Sequence, residues 1–430
     1  METTRRTLIA ASAIAGALPS AAAAQPSAAH GSAVWHQAVL ERFHSFGVKA
    51  SGGPGDEACG AWLEGELTRL GYGSRRQRFD APFFDVARAT LASGPTTLDV
   101  IPQALVVATG AAGVTARLRR AEPGVDLSGA IALVVLPFKR WVTLLDPAAG
   151  RPIADAFARG ARAVALVTTG PTGEAIALNV SPHRAGFDRP VVLLAPKASA
   201  PMVAAAAASR EATLVVDGRG GQRSAWNLIA RLDRGAAQTV VVSTPRSGWF
   251  GCTAERGSGV AVWLSVAHAL AASRRRVNIE LLCTSGHEYE YLGGEHYLEK
   301  IAPAPMKTKL WLHIGASAAA RDWHELGGGL RPLPSPETQR VLTATANILH
   351  SVRGGFAGIS GLEATYLADK ASAGGELTNV LAAGYPSLIG LYGGHRYFHT
   401  PADDLRCTSG DLVKPVADAF RRTLEVCLAA

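Results

Sequence analysis

The chain has 430 residues, 48% of them hydrophobic and 18% charged, with 46 Gly, 24 Pro and a formal charge of +8. That composition excludes a disordered, collagenous or disulfide-dense protein, and at roughly 100–200 residues per domain the length implies two folded units. Lys and Arg are spread along the chain without a long run, so the positive charge does not point to nucleic acid.

Residues 1–24 read as an export signal. Arg5 and Arg6 precede an apolar run over 8–18, and Ala22-Ala23-Ala24 offers a small-residue cleavage site. The paired arginines suggest the twin-arginine route, and a periplasmic or secreted protein is expected. Cleavage removes Arg5, Arg6 and Glu2, so the charge becomes 8 − 2 + 1 = +7. No later stretch approaches the ~20 apolar residues of a membrane span. Five cysteines follow, Cys59, Cys252, Cys283, Cys407 and Cys427, with no CxxC. One disulfide is conceivable after export, and Cys407–Cys427 is the pair suggested.

In chain order, 34–46 reads as an amphipathic helix. A Gly-rich turn at 51–55 follows, then a second helix over 56–70 closed by Gly71. From 85 to 221 short apolar runs dominate, at 104–107, 130–135, 163–168, 191–194 and 213–216, with one helix at 153–159. This reads as a small strand-rich insert. After 221 strands and helices alternate. Strands are expected at 227–232, 239–243, 277–284, 309–314 and 387–391. Helices are expected at 257–273, 293–301, 337–350 and from 409 onward. Such alternation predicts an α/β fold, a mixed sheet covered by helices on both faces. Its site should lie beyond the carboxyl ends of the strands.

Four strand ends carry residues capable of chemistry. Arg246, Trp249, Glu255 and Arg256 follow the strand at 239–243. His287, Glu288, Tyr289 and Glu290 follow 277–284, His313 ends 309–314, and His395, His399 and Asp403 follow 387–391. Singly, a carboxylate at a helix start caps it and a strand His packs in a core. Together, carboxylates and imidazoles at the ends of one sheet match the ligand set of a zinc ion with an open position.

These segments resemble the exported zinc aminopeptidases of metallopeptidase clan MH, a group with aminopeptidase Y-like, glutamate carboxypeptidase-like and glutaminyl cyclase-like branches. Asp126-Leu127-Ser128-Gly129 and Gly160-Ala161-Arg162 resemble a protease-associated domain. Trp226-Asn227-Leu228, Gly384-Tyr385-Pro386 and Phe398-His399-Thr400-Pro401 resemble motifs of the catalytic domain. The resemblance implies a three-layer zinc-exopeptidase domain over 31–84 and 222–430, with a protease-associated-like insert at 85–221. It also implies that the ligands are altered. Pro245-Arg246-Ser247 stands where the family has His-x-Asp, and Glu255 stands for the bridging Asp. His287-Glu288 replaces the Glu-Glu pair, His313 replaces a later Asp, and His399 is kept.

The implied site is a single zinc held by Glu255, Glu288 and His399, with the second ion lost. His287 takes the general-base position, and His313 is a fourth ligand or an oxyanion partner. Arg246 and Arg256 would hold an anionic group of a peptide or small amide substrate, with Tyr289 and Trp249 lining the pocket. The function implied is an exported zinc hydrolase that cleaves an amide or peptide bond; the alternatives are a binding protein that keeps the fold without the chemistry, and acyl transfer of the glutaminyl cyclase kind. No nucleic-acid partner is expected.

Overall fold

The computed structural model describes residues 29–184, 186–326 and 329–429. The export signal expected over 1–24 lies outside the described residues. Helix α1 (Ala33–Ser45) is capped by the Ser32 side chain, which accepts the Trp35 N–H at 3.1 Å. Helix α2 (Pro54–Arg69) opens with proline at its first position, where no N–H is needed.

Two very long strands, β1 (Gly73–Ser93) and β8 (Glu211–Leu232), pair antiparallel over nearly their whole length. Between them lie β2 (Thr96–Asp99), β3 (Ile101–Pro102), β4 (Gly110–Arg120), β5 (Ile131–Val135), helix α3 (Pro147–Ala158), β6 (Ala163–Val167), β7 (Val191–Leu194) and helix α4 (Ala200–Ala207). Positions 85 and 221, the expected limits of the insert, fall inside β1 and β8, where Asp85 pairs with Arg219 and Gly221 with Phe83. The run at 104–107, expected as a strand, is instead a loop after β3, with Leu105 at φ 60°.

After β8 come β9 (Thr239–Pro245), a π-helical turn at Thr253–Gly257, α5 (Ser258–Ala272), β10 (Asn278–Thr284), α6 (Leu292–Lys300) and β11 (Thr308–Ile314). A hairpin of β12 (Arg321–Leu326) and β13 (Gly329–Pro336) follows. Then come β14 (Arg340–Ala344), α7 (Leu349–Gly355), β15 (Thr365–Leu367), α8 (Leu377–Ala382), β16 (Leu388–Gly393) and α9 (Gly410–Cys427).

The main sheet runs β15-β14-β16-β11-β9-β10-β8 and continues through β4-β5-β6-β7-β3. Strands β9, β10, β11 and β16 are mutually parallel, so their carboxyl ends open on one edge. Alternation along them sorts two cores. Val240, Val242, Leu281, Leu310 and Leu312 pack under α1, α2, α5 and α9, while Val241, Leu282 and Trp311 pack under α6 and α8. The elements between β1 and β8 repeat this layering at smaller scale. Ile153 and Phe157 of α3 cover one face of β5 and β6, and Met202 and Ala205 of α4 cover the other.

Two expectations are corrected. The helix expected over 337–350 gives way to a strand and a turn: β14 pairs antiparallel with β16 from Arg340↔Gly393 to Ala344↔Ile389, and helix begins only at Leu349. Val341 and Thr343 are β-branched, and Leu342, Thr343 and Ala344 are all buried, a run that suits a strand inside the sheet. Cys407 and Cys427 are both free, as are the other three cysteines, and all five are buried. Cys407 packs with Ala254, Ala320 and Trp323, whereas Cys427 belongs to the main core. No helix among the described residues is long and apolar enough to cross a membrane.

Candidate functional site

The parallel strand ends bring the sequence-derived residues to one region. Glu255 sits in the turn before α5. Its backbone N–H and that of Ala254 donate to the two Asp403 carboxylate oxygens at 3.0 and 2.8 Å, and its carbonyl accepts the Ser317 N–H at 2.8 Å. These bonds fix the turn, so Asp403 works as a cap for it. The Glu255 side chain is fully enclosed. Its Oε1 lies 2.6 Å from Arg256 Nη2 and 3.2 Å from His399 Nε2. Burial alone would raise the Glu255 carboxyl, but Arg256 and then His399 outweigh it and hold it at about 2.

His399 adopts φ 57°, an uncommon left-handed conformation that aims its ring inward. Its Nδ1 meets the Ala177 carbonyl oxygen at 3.0 Å, which leaves Nε2 facing Glu255. Glu288 is also enclosed but turns elsewhere. Its Oε1 accepts the Ser51 N–H and the Ser51 hydroxyl, both at 2.7 Å, and its Oε2 accepts the Ser247 hydroxyl at 2.8 Å. Burial raises the Glu288 carboxyl, and the Ser51 and Ser247 bonds oppose that rise.

The three expected zinc ligands therefore do not meet. Their ligand atoms do not form a group within 4.8 Å of one another. Among the described residues the group that does is His395, Asp403 and Cys407, all buried. There Asp403 already accepts two backbone N–H groups, and His395 Nδ1 lies 3.0 Å from Ser317 Oγ. A zinc site on Glu255, Glu288 and His399 would require Glu288 to give up three hydrogen bonds and Arg256 to leave Glu255. The residues do not fit the ion as they stand.

His287 Nδ1 donates to Glu376 Oε1 at 3.1 Å, and the Thr284 hydroxyl donates to the same oxygen at 2.6 Å. Burial and then Arg256 push the His287 imidazole well below its ordinary value, so the contact is a hydrogen bond from a neutral ring. His313 bonds through Nδ1 to Ser243 Oγ at 2.9 Å; its Nε2 is buried without a partner, and burial lowers it to about 4.

Of the two arginines expected to meet substrate, Arg246 is committed inside the protein. It is fully enclosed, pairs with Asp56 at 2.9 Å, donates to the Cys283 and Trp226 carbonyls, and stacks on the Trp226 ring. Arg256 is in the site, with its Nε on the Ser247 carbonyl at 3.0 Å and its Nη1 unpartnered. Trp249 and Tyr289, expected to line a substrate pocket, lie among the residues around a cleft of about 990 Å³, together with Ser51, Phe83, Phe84 and Arg223, where the β1–β8 ribbon passes the start of α2.

Sequence reasoning missed Ser51, Ser247 and Glu376 as site residues, and it missed a strap from the insert. The strap, Ala175 to Val180, is buried against the strand ends. The Ala177 N–H donates to the His399 carbonyl at 2.9 Å, the Val180 N–H to the Glu288 carbonyl at 3.2 Å, and Trp249 Nε1 to Asn179 Oδ1 at 2.8 Å. Only Ser51, in its Gly-rich turn, and Glu376, directly after Gly374-Gly375, carried a signal of tight backbone geometry.

No family model matches the sequence. No curated protein matches it either. Among solved structures the chain is similar to a zinc aminopeptidase from Bacillus subtilis at 18% identity, over 92% of this chain and 95% of the other, with a TM-score of 0.70. It is similar to a peptidase M28 precursor from Shewanella amazonensis SB2B at 16% identity, over 92% and 97%, with a TM-score of 0.68. An aminopeptidase from Aneurinibacillus sp. strain AM-1 matches at 16% identity, over 92% and 93%, with a TM-score of 0.64. The chain has the zinc-exopeptidase fold. The likeness extends over 92% of the chain, and it is a likeness of fold.

Proposed function

We propose that this chain is an exported binding protein built on the zinc-exopeptidase fold, taking a peptide or small amide without cleaving it. The observation that carries the reading is the commitment of Glu288. Both its oxygens are held by Ser51 and Ser247, so the ligand triad of a mononuclear zinc hydrolase is not assembled. The cleft beside the site supplies what a binding role needs: aromatic walls from Phe83, Phe84, Trp249 and Tyr289, and polar groups from Ser51 and Arg223. Arg5-Arg6 and the apolar run behind it support export.

A second reading, hydrolysis with His287 as general base, is favoured by one contact. Glu376 at 3.1 Å from Nδ1 orients the ring and leaves Nε2 as the basic nitrogen. On that reading His287 Nε2 takes a proton from water as the water oxygen attacks the amide carbonyl carbon, and returns that proton to the departing amine as the C–N bond breaks.

The deciding experiment incubates the purified protein with a panel of aminoacyl and peptide amides and follows both product release and ligand-induced thermal shift. The binding reading expects a shift with one or more of them that Trp249→Ala removes, and no product. Product release abolished by His287→Ala would overturn it in favour of hydrolysis. Absence of any shift across the panel would also overturn it.

A further inference from the structure

We infer that the guanidinium of Arg256 is the resident cation of this site, standing where the carboxylate and imidazole of the strand ends would otherwise need a metal ion. The inference goes beyond the proposed function, since it holds whether the site binds or cleaves.

Glu255 is the centre of the argument. It is a fully enclosed carboxylate whose two oxygens have no hydrogen-bond partner of good geometry. A buried, uncompensated carboxylate is too costly to keep. Its compensation comes from Arg256 Nη2 at 2.6 Å and His399 Nε2 at 3.2 Å. Arg256 is itself 1% exposed, so this is a pair of desolvated charges and not a surface contact.

The guanidinium is anchored on its other side. Its Nε donates to the Ser247 carbonyl at 3.0 Å, and the Ser247 hydroxyl donates to Glu288 at 2.8 Å. Arg256 thus bridges the Glu255–His399 pair and the serine that holds Glu288. These are the three side chains that the sequence assigns to one zinc.

Space has been left for it. A β-carbon on Gly248 would lie 3.3 Å from Arg256 Nε, tighter than an ordinary contact. A guanidinium also differs from an ion in what it leaves behind. It is planar and has a fixed set of donors. One of these, Nη1, is buried and unpartnered.

The test uses the full chain, by metal analysis and thermal unfolding of wild type, Arg256→Gln, Glu255→Gln and the double variant. Wild type is expected to hold far less than one zinc per chain after incubation with zinc and gel filtration, and chelator is expected to leave its melting temperature unchanged. Arg256→Gln should melt several degrees lower, because it strands the Glu255 charge. Adding Glu255→Gln in that background should recover much of the loss, a coupling that a merely packing role for Arg256 would not produce. If Arg256→Gln does not accumulate, the double variant is still expected to. Near-stoichiometric zinc in wild type overturns the inference, as does additivity of the two substitutions. Neither outcome depends on whether the amide panel shows turnover, so the two proposals fail separately.

Discussion

Replacing Arg246 tests whether this arginine is structural. Arg246 sits in the loop segment directly after β9, one residue past a strand end, a position from which a side chain could reach substrate. In the fold it does the opposite. It is 0% exposed, as is its partner Asp56 at 2.9 Å, and Asp56 in turn accepts the Gly52 N–H at 3.0 Å and the Ser285 hydroxyl at 2.8 Å. The pair ties α2 to β8 through Trp226, to β9 and to the end of β10 through Cys283. Arg246→Met removes one charge of a fully desolvated pair and strands the other. The cost of breaking such a pair is about 3–5 kcal/mol. The lost bonds to the Cys283 and Trp226 carbonyls are part of that figure and are not added to it. With an unfolding entropy of about 2 cal/mol/K per residue and some 400 residues melting together, the loss corresponds to roughly 4–6 °C in melting temperature. Calorimetry checks the shift, and urea unfolding checks that the slope is unchanged. The double substitution Asp56→Asn with Arg246→Met should cost less than the sum of the singles. A melting temperature within a degree of wild type, combined with loss of ligand binding, would refute the structural assignment and return Arg246 to the binding site.

Three further outcomes follow from individual contacts. His36 in α1 is enclosed, neither ring nitrogen has a hydrogen-bond partner, and burial pushes it down to about 4 despite Asp418 nearby, with Lys414 and Arg421 reinforcing the shift. The unfolded chain therefore takes up this proton first as pH falls below about 6.5. Stability should drop by on the order of 3 kcal/mol between there and pH 4, and His36→Leu should flatten that part of the urea-midpoint profile. Asn179→Ala removes the acceptor of Trp249 Nε1 and should cost the strap about 1–3 kcal/mol, read as faster hydrogen exchange over 175–180; unchanged exchange would mean that this bond does not hold the strap. At Gly259 a β-carbon would lie 2.9 Å from the Gly315 carbonyl oxygen and 3.2 Å from Thr244 Oγ1, so α5 cannot approach the strand ends unless the residue is glycine. Gly259→Ala should lower stability by about 1–3 kcal/mol, and an unaltered urea midpoint would contradict the close approach.

What was legible in the sequence and what was not divides along a physical line. The parallel strands announce themselves as short β-branched runs because both faces are buried. Glu255, His287, His313 and His399 could therefore be placed at strand ends from pattern alone. The region 337–350 failed because its Leu and Ala content suits a helix, while its pairing with β16 is decided by a strand some 50 positions later, a tertiary choice that overrides local preference. The same holds at the site, where the direction of a carboxylate depends on its partners, and those of Glu288 include Ser51, 237 positions away. Likewise His399 is oriented by Ala177 of the insert, 222 positions away.

Arg256 makes the point most sharply. Next to Glu255 in the sequence, it reads as one more charge at a helix start, where both side chains could reach water. Only the enclosure of both residues turns that neighbour into an internal counter-ion. Once it is one, the other substitutions form a consistent set. A site whose cation is covalently part of the chain has no use for His-x-Asp at 245–247. It can spare a carboxylate at His313, and it can let Glu288 settle on serine hydroxyls, because no ion requires them to converge.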